Sequence, residues 1–195
     1  MKINLILLAA GNSVRFNGNK LLSDFKGIPL YMHIINEVKD MDFNKIICIT
    51  QYKEIQDKLK DTNIKAVINE DSSRGISSSI KLGINYDSSA DGYMFMVCDQ
   101  PFIRKESIHK VVDVFKKSNL GIAALGTYEG SVAGNPVIFS SRYVNELLCL
   151  EGDTGGKKIV KKHMNDLEIV NVYDELELTD IDTKEVYERL NKVKG

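Results

Sequence analysis

The feature that most narrows the possible folds is a recurrent apolar run of strand length with almost no polar interruption. Residues 3–10 (INLILLAA), 45–50 (KIICIT), 93–98 (YMFMVC) and 122–127 (IAALGT) are of this kind. A strand with one wet face alternates apolar and polar residues. A run that stays apolar must be covered on both faces, which is the condition of a parallel sheet between two layers of helices. Residues 64–69 (IKAVIN), 136–139 (PVIF) and 167–173 (LEIVNVY) are three further strand candidates. Amphipathic stretches lie between the runs. Residues 29–40 open with Pro29 at a first-turn position and carry Leu30, Ile34, Ile35 and Val38 on one side. Residues 76–85, 105–117, 142–150, 156–163 and 184–194 follow the same pattern. Strand then helix, repeated, predicts an α/β fold: a Rossmann-like, doubly wound, mostly parallel sheet with helices on both faces. No internal repeat or linker divides the chain, so residues 1–195 are expected to form a single domain. The stretch YEGSVAGNPVIF (128–139) breaks the alternation and is expected to form an irregular or hairpin-like arm at the sheet edge.

Composition limits the partners. Lys and Arg number 26 against 27 Asp and Glu, a net charge of −1. Such a chain has no global attraction to nucleic acid or to an anionic membrane, so an anionic ligand must be met by local charge. The most apolar stretch is too short to span a bilayer and lacks the flanks of a secretory signal, so a cytoplasmic location is expected. Three cysteines, Cys48, Cys98 and Cys149, with no CxxC spacing exclude a disulfide framework or zinc knuckle. Cys48 and Cys98 sit in apolar runs and read as small buried hydrophobes.

In doubly wound sheets ligands bind beyond the carboxyl ends of the strands, where the strand order reverses. LLAAGNSVRFNGNK (7–20) leaves the first strand at that end, and it is small and cationic. Gly11 lets backbone N–H groups approach an anion, while Arg15 and Lys20 add a fork and a mobile point charge. Neither GxGxxG nor GxxxxGK[ST] fits, which excludes the common dinucleotide and P-loop fingerprints. In MFMVCDQPFI (94–103) a strand runs into Asp99, a carboxylate at the same edge; alone it reads better as a helix-capping or turn residue, and beside a polyphosphate in the first loop its use is as a Mg²⁺ ligand. Asp180 and Asp182 precede the last helix. Either Asp182-Thr183 caps that helix with Glu185 behind it, or one of the two acids supplies a second metal ligand if the last strand lies near the fourth. Ser77, Ser78 and Ser79 stand at a helix start, where hydroxyl and N–H groups can meet an anion or a base, and they read equally as a solvated cap. LEGDTGGKKIV (150–160), with Asp153 and Gly155, reads as a mobile substrate loop or a plain turn.

LAAGNSVRFNGNK resembles the N-terminal signature of nucleotidyltransferases that move a nucleoside monophosphate from a triphosphate onto a phosphate. RGISSSIKLG, VCDQPF, GNPVIFSSRY, EGDTGGKKIV and DIDTKEVY, in this order along nearly the whole chain, are similar to the molybdenum cofactor cytidylyltransferases of that superfamily. The resemblance implies a nucleotide-diphospho-sugar transferase-like fold, CTP and molybdopterin as substrates, and Mg²⁺, with Mn²⁺ as the alternative ion. It places Leu8, Ala10, Gly11, Asn12, Ser13, Arg15, Lys20, Ser77, Ser78 and Ser79 at the nucleotide and Gln100, Pro101, Asn135, Asp153 and Gly155 at the acceptor. Asp99 with Asp182 or Asp180 would hold the metal, and Arg15, Lys20 and Asp99 would carry catalysis. One departure is visible: Gly134-Asn135 stands where Gly-His is more usual, exchanging a group that can be charged for one that only hydrogen-bonds. GTP as donor, a sugar or alcohol phosphate as acceptor, and a non-catalytic factor delivering the cofactor to a molybdenum hydroxylase are the competing readings.

Overall fold

The computed structural model describes residues 1–16, 18–119, 121–127 and 133–192. In chain order the strands are β1 (Ile3–Ala9), a two-residue pair β2 (Asp24–Phe25) and β3 (Ile28–Pro29), β4 (Lys45–Thr50), β5 (Ile64–Ile68), β6 (Gly92–Val97), β7 (Ile122–Gly126), β8 (Ala133–Ser140) and β9 (Leu167–Asn171). The helices are α1 (Leu30–Val38), α2 (Lys53–Leu59), α3 (Ile76–Tyr86), α4 (Lys105–Lys117), α5 (Val144–Leu148), α6 (Lys157–Lys162) and α7 (Lys184–Lys192). Seven strands form one sheet in the order β5-β4-β1-β6-β8-β7-β9. Every adjacent pair is parallel except those made by β8, which runs antiparallel to β6 and β7.

The apolar runs do what their pattern predicts. Along β1, Ile3, Leu5, Leu7 and Ala9 enter one core layer with residues of α1, α2 and α4, while Ile6 enters the other with residues of α3, α5 and α6. Each of these buried leucine and isoleucine side chains contributes about 1.5–3 kcal/mol relative to exposure. Gly83 lets α3 lie close on β1, because a Cβ there would stand 2.5 Å from the Ile6 side chain. Cys48 and Cys98 are buried, as expected of small hydrophobes, and Cys149 is exposed.

The arm expected at the sheet edge is corrected by the structure. Residues 133–140 are an interior strand with neighbours on both sides, and Val137, Ile138 and Phe139 are buried there; residues 128–132 of that stretch lie outside the described residues. A strand that is antiparallel inside a parallel sheet needs no helical crossover, so the alternation pattern could not place it. The sequence pattern also passed over α2, whose two buried residues, Ile55 and Leu59, make too short a stripe to read.

After β1 the chain goes to β4 on one side, and β6 later pairs on the other. That divergence opens a crevice at the carboxyl end of β1, where doubly wound sheets receive ligands. Leu8 pairs with Val97, so the segments leaving β1 and β6 emerge side by side.

Candidate active site

The residues beyond the parallel strands build the crevice. The turn after β1 is tied down by the segment after β4: Gln51 Nε2 donates to the Ala10 carbonyl at 2.9 Å and to Asn12 Oδ1 at 3.0 Å, and Tyr52 Oη donates to the Gly11 carbonyl at 2.7 Å. These bonds occupy the carbonyls of Ala10 and Gly11, and Ala10 to Ser13 line the cleft. Ser13 sits at φ 50°, the left-handed region that non-glycine residues seldom enter and that clusters at functional sites. A Cβ built on Gly11 would meet nothing within 4 Å, so protein packing does not require the glycine.

Charge gathers one step further along. Lys20 is 8% exposed, and its Nζ donates to Asp99 Oδ2 at 2.6 Å and to Asp182 Oδ1 at 2.8 Å. Arg15, largely exposed, pairs with the other oxygen of Asp182 at 2.8 Å. Burial works to lower the Lys20 pKa, but Asp99 and Asp182 outweigh it and hold it above the ordinary lysine value. Partial burial likewise works to raise the Asp182 carboxyl, and Lys20 and Arg15 override it and hold it low. Asp99 Oδ1 is buried without a hydrogen-bond partner. Asp180 stands apart: its carboxylate accepts from Gln100 Nε2 at 2.9 Å, and its partial desolvation together with the charges of Asp99 and Asp182 raises its pKa.

Asp182 does not reach this place by a neighbouring strand. β9 is separated from β6 by β7 and β8. Instead the segment after β9 runs back along the carboxyl edge and is pinned there. Buried Glu177 accepts from the backbone N–H groups of Arg104 and Tyr173, and the Ile181 N–H donates to the Asp99 carbonyl at 2.9 Å. The Thr183 hydroxyl accepts from the Val186 N–H at the start of α7, so the cap is made by threonine and Asp182 is left to pair with the cations. Phe16, next to Arg15, packs edge-on to Tyr187 of α7 at 5.3 Å between ring centroids.

A cleft of about 690 Å³ results, lined by Leu8, Gly11, Ser13, Arg15, Lys20 and Asp99 among others. A second cavity of about 540 Å³ adjoins it, sharing Leu8, Ile76, Val97 and Asp153. Phe95, Val137 and Val160 supply its apolar wall, Asn135, Thr154 and Gly155 its polar edge, and Lys157, Lys158 and Lys161 its rim. The loop between α5 and α6 closes the seam. Gly152 accepts from the Ser77 N–H, and Asp153 faces the Ile76 N–H at 3.5 Å. Gly75, at φ 85°, permits this docking, since a Cβ there would lie 2.5 Å from the Gly152 backbone.

Of the residues marked in the sequence, Ala10, Gly11, Asn12, Ser13, Arg15, Lys20, Ser79, Asp99 and Asp182 line the first cleft, Asn135 and Gly155 the second, and Leu8 and Asp153 both. Ser77 and Ser78 line neither: Ser77 is buried, and the Ser78 hydroxyl donates to the Gly75 carbonyl and accepts from Asn69 Nδ2. Gln100 and Pro101 are buried away from both cavities, Gln100 holding Asp180 and the Leu178 carbonyl. Gln51, Tyr52 and Asn69 were missed. Asn69 Nδ2 donates to Ser79 Oγ at 2.9 Å and sets that hydroxyl. Each of the three follows the end of a parallel strand, the positional signal that would have found them.

The sequence matches the MobA-like NTP transferase domain over residues 5–167. The chain belongs to that family. Members of this family are nucleotidyltransferases, and the sheet order and crevice of this member fit that kinship. A bifunctional protein GlmU from Buchnera aphidicola is 31% identical over 125 residues, which are 62% of this chain and 27% of that protein. The chain thus spans less than half the length of the curated relatives it matches. The fold is shared with Rv0371c from Mycobacterium tuberculosis H37Rv, at TM-score 0.83 and 23% identity, covering 99% of this chain and 98% of that one. A complex of Rv0371c with manganese superposes at TM-score 0.81 and 22% identity over all of both chains. Among the described residues no helix is long and apolar enough to cross a membrane.

Proposed function

We propose that this member of the family transfers CMP from CTP to the terminal phosphate of molybdopterin, giving the cytosine dinucleotide form of the cofactor and pyrophosphate. The observation that carries the reading is the convergence of the turn after β1, Lys20, Asp99 and Asp182 in one cleft that opens directly into a second, lysine-rimmed cavity. Two anionic substrates need two such adjoining compartments. CTP and molybdopterin themselves are supported by the run of motifs from RGISSSIKLG to DIDTKEVY.

In this reading the triphosphate lies on the N–H side of the turn at Gly11, where open space takes the place of a Cβ. Arg15 and Lys20 leave their carboxylate partners for phosphate oxygens, and Ser79, set by Asn69, lies at the nucleoside. The acceptor enters the second cavity past Asn135, Asp153 and Gly155, with its phosphate towards the seam. An acceptor oxygen attacks the α-phosphorus in line as the bond from that phosphorus to the β-phosphate oxygen breaks. A phosphate monoester has a second pKa near ~6 and is largely ionised at neutral pH, so no general base is required. The protein's work is alignment and charge compensation.

A divalent ion fits the acidic pair. Asp99 and Asp182 offer hard oxygen donors, Asp99 Oδ1 is buried and unpartnered, and one or two carboxylates plus phosphates are what Mg²⁺ takes. Asp180, already held by Gln100, is the poorer second ligand. The related fold solved with manganese agrees with a divalent ion of this class. When bound, the ion would neutralise charge on the phosphates. Pyrophosphate release with molybdopterin, compared across CTP, GTP and ATP with and without Mg²⁺ or Mn²⁺, tests the reading. Release with CTP and a divalent ion is expected; release with GTP alone, or with molybdopterin replaceable by a sugar phosphate, would overturn it.

A further inference from the structure

Lys20 is not poised toward open solvent. Its ammonium lies between one oxygen of Asp99 and one of Asp182, at 2.6 and 2.8 Å, and the residue is 8% exposed. Two carboxylates drawn to one point repel each other unless a cation separates them. A monocation meets that need in part, and the buried, unpartnered Asp99 Oδ1 shows what it leaves unmet. A dication held by the same two carboxylates would stand within a few ångströms of the ammonium, where like charges strongly disfavour each other.

We propose that Lys20 is an internal counter-ion that excludes divalent metal from the ligand-free Asp99–Asp182 pair, and that metal binding expels it towards the phosphate side of the cleft. The inference rests on the reading of this cleft as a metal-assisted nucleotide site, and it adds an exchange that reading does not require. The geometry supports it twice. Both of the lysine's partners are the carboxylates that would hold the ion, and in the nucleotide-free protein Arg15 occupies the far oxygen of Asp182, so metal can displace Lys20 before a nucleotide draws Arg15 away. Lys20 would then reach the substrate phosphates only when the cation is present, and the site would not assemble around a nucleotide without its metal.

The probe is Mn²⁺ alone, with neither nucleotide nor acceptor present. Free Mn²⁺ is followed by electron paramagnetic resonance as wild-type protein and Lys20→Met are titrated in. The variant is expected to bind Mn²⁺ about tenfold more tightly, within the roughly 5–150-fold span of ordinary site coupling. Equal or weaker binding by a folded variant overturns the proposal. A measurement on the unaltered chain guards against a variant that fails to fold: the rate at which a small amine-acylating reagent modifies Lys20, read by peptide mass spectrometry. Mn²⁺ is expected to raise that rate several-fold, and a rate that does not rise overturns the exchange. Strong and equal Mn²⁺ binding by both proteins removes the exchange and leaves nucleotidyl transfer standing. No Mn²⁺ binding by either protein removes this proposal together with the metal-assisted reading beneath it.

Discussion

The two cavities that meet along Leu8, Ile76, Val97 and Asp153 are built on opposite electrostatic plans. In the first, the innermost cation is internally neutralised: Lys20 and Arg15 are each held by carboxylates. In the second, Lys157, Lys158 and Lys161 rim an apolar wall, and none of the three is in a salt bridge among the described residues. A paired site must be re-sorted by its ligand, and it gains selectivity for a ligand that brings both anion and cation. An unpaired rim attracts any anion at once. Under the proposed function, discrimination and chemistry belong to the first cavity and capture to the second.

The sharpest way to break that assignment is to remove the paired groups. Lys20→Met or Asp99→Ala is expected to lower kcat about 10²–10³-fold, the scale of losing one group aimed at developing charge. Lys158→Met or Lys161→Met should leave kcat near its starting value. Near-normal turnover in either of the first two variants, measured as pyrophosphate release, would refute the roles proposed for them.

Next in size is the seam. Gly75→Ala forces a Cβ to within 2.5 Å of the Gly152 backbone at a φ of 85°. Strain of this kind costs about 1–3 kcal/mol, and for a chain of this size 1 kcal/mol lowers Tm by about 2–4 °C. A fall of roughly 2–12 °C is therefore expected in a thermal melt, with KM rising for both substrates because Gly152 borders the first compartment and Asp153 borders both. An unchanged Tm would mean that the loop between α5 and α6 gives way freely, and that the two cavities are less firmly joined than their contacts indicate.

How far these regions could be read beforehand follows the same divide. The first cavity is written largely in contiguous letters, because Gly11, Ser13, Arg15 and Lys20 leave one strand within ten residues and Asp99 ends another. The parallel runs, buried on both faces, made the sheet legible for a similar reason. Asp182 was ambiguous because its position depends on a return path, from β9 back across β7 and β8, that no local pattern encodes. Only the structure shows Thr183 taking the cap and freeing the acid. Gln51, Tyr52 and Asn69 act through hydrogen bonds to a turn or helix elsewhere in the chain, and polar residues after a strand look like any loop. Gln100 and Pro101 follow Asp99, which lines the cleft, yet line neither cavity themselves, because adjacency in sequence at a strand end does not carry adjacency in the cleft.

A smaller effect sharpens the capture role. If the exposed rim acts through long-range attraction, Lys158→Met combined with Lys161→Met should raise the acceptor KM about fivefold to tenfold at low salt. The difference from wild type should shrink towards physiological ionic strength, where charges beyond a Debye length of about 8 Å are screened. The KM for CTP should move little. A loss for CTP as large as that for the acceptor would show that the lysines serve the nucleotide instead.

The smallest effect separates the plans through pH. Desolvation works to raise the Asp182 carboxyl, but Lys20 and Arg15 override it and hold its folded-state pKa below the ordinary aspartate value. A depressed carboxyl contributes stability above its unfolded pKa and loses it as pH falls through the folded one. Wild-type protein is therefore expected to lose Tm below about pH 4 more steeply than Asp182→Asn, because the variant has no ionised carboxylate there to protonate. Arg15 and Asp182 are partly exposed, so only the direction is predicted. Lys158→Met should leave the acid limb of the curve unaltered, since among the described residues no carboxylate pairs with that lysine. An acid limb that flattens as much for Lys158→Met as for Asp182→Asn would mean that the second rim is internally paired too, and the division between a re-sorted site and a capturing one would fall.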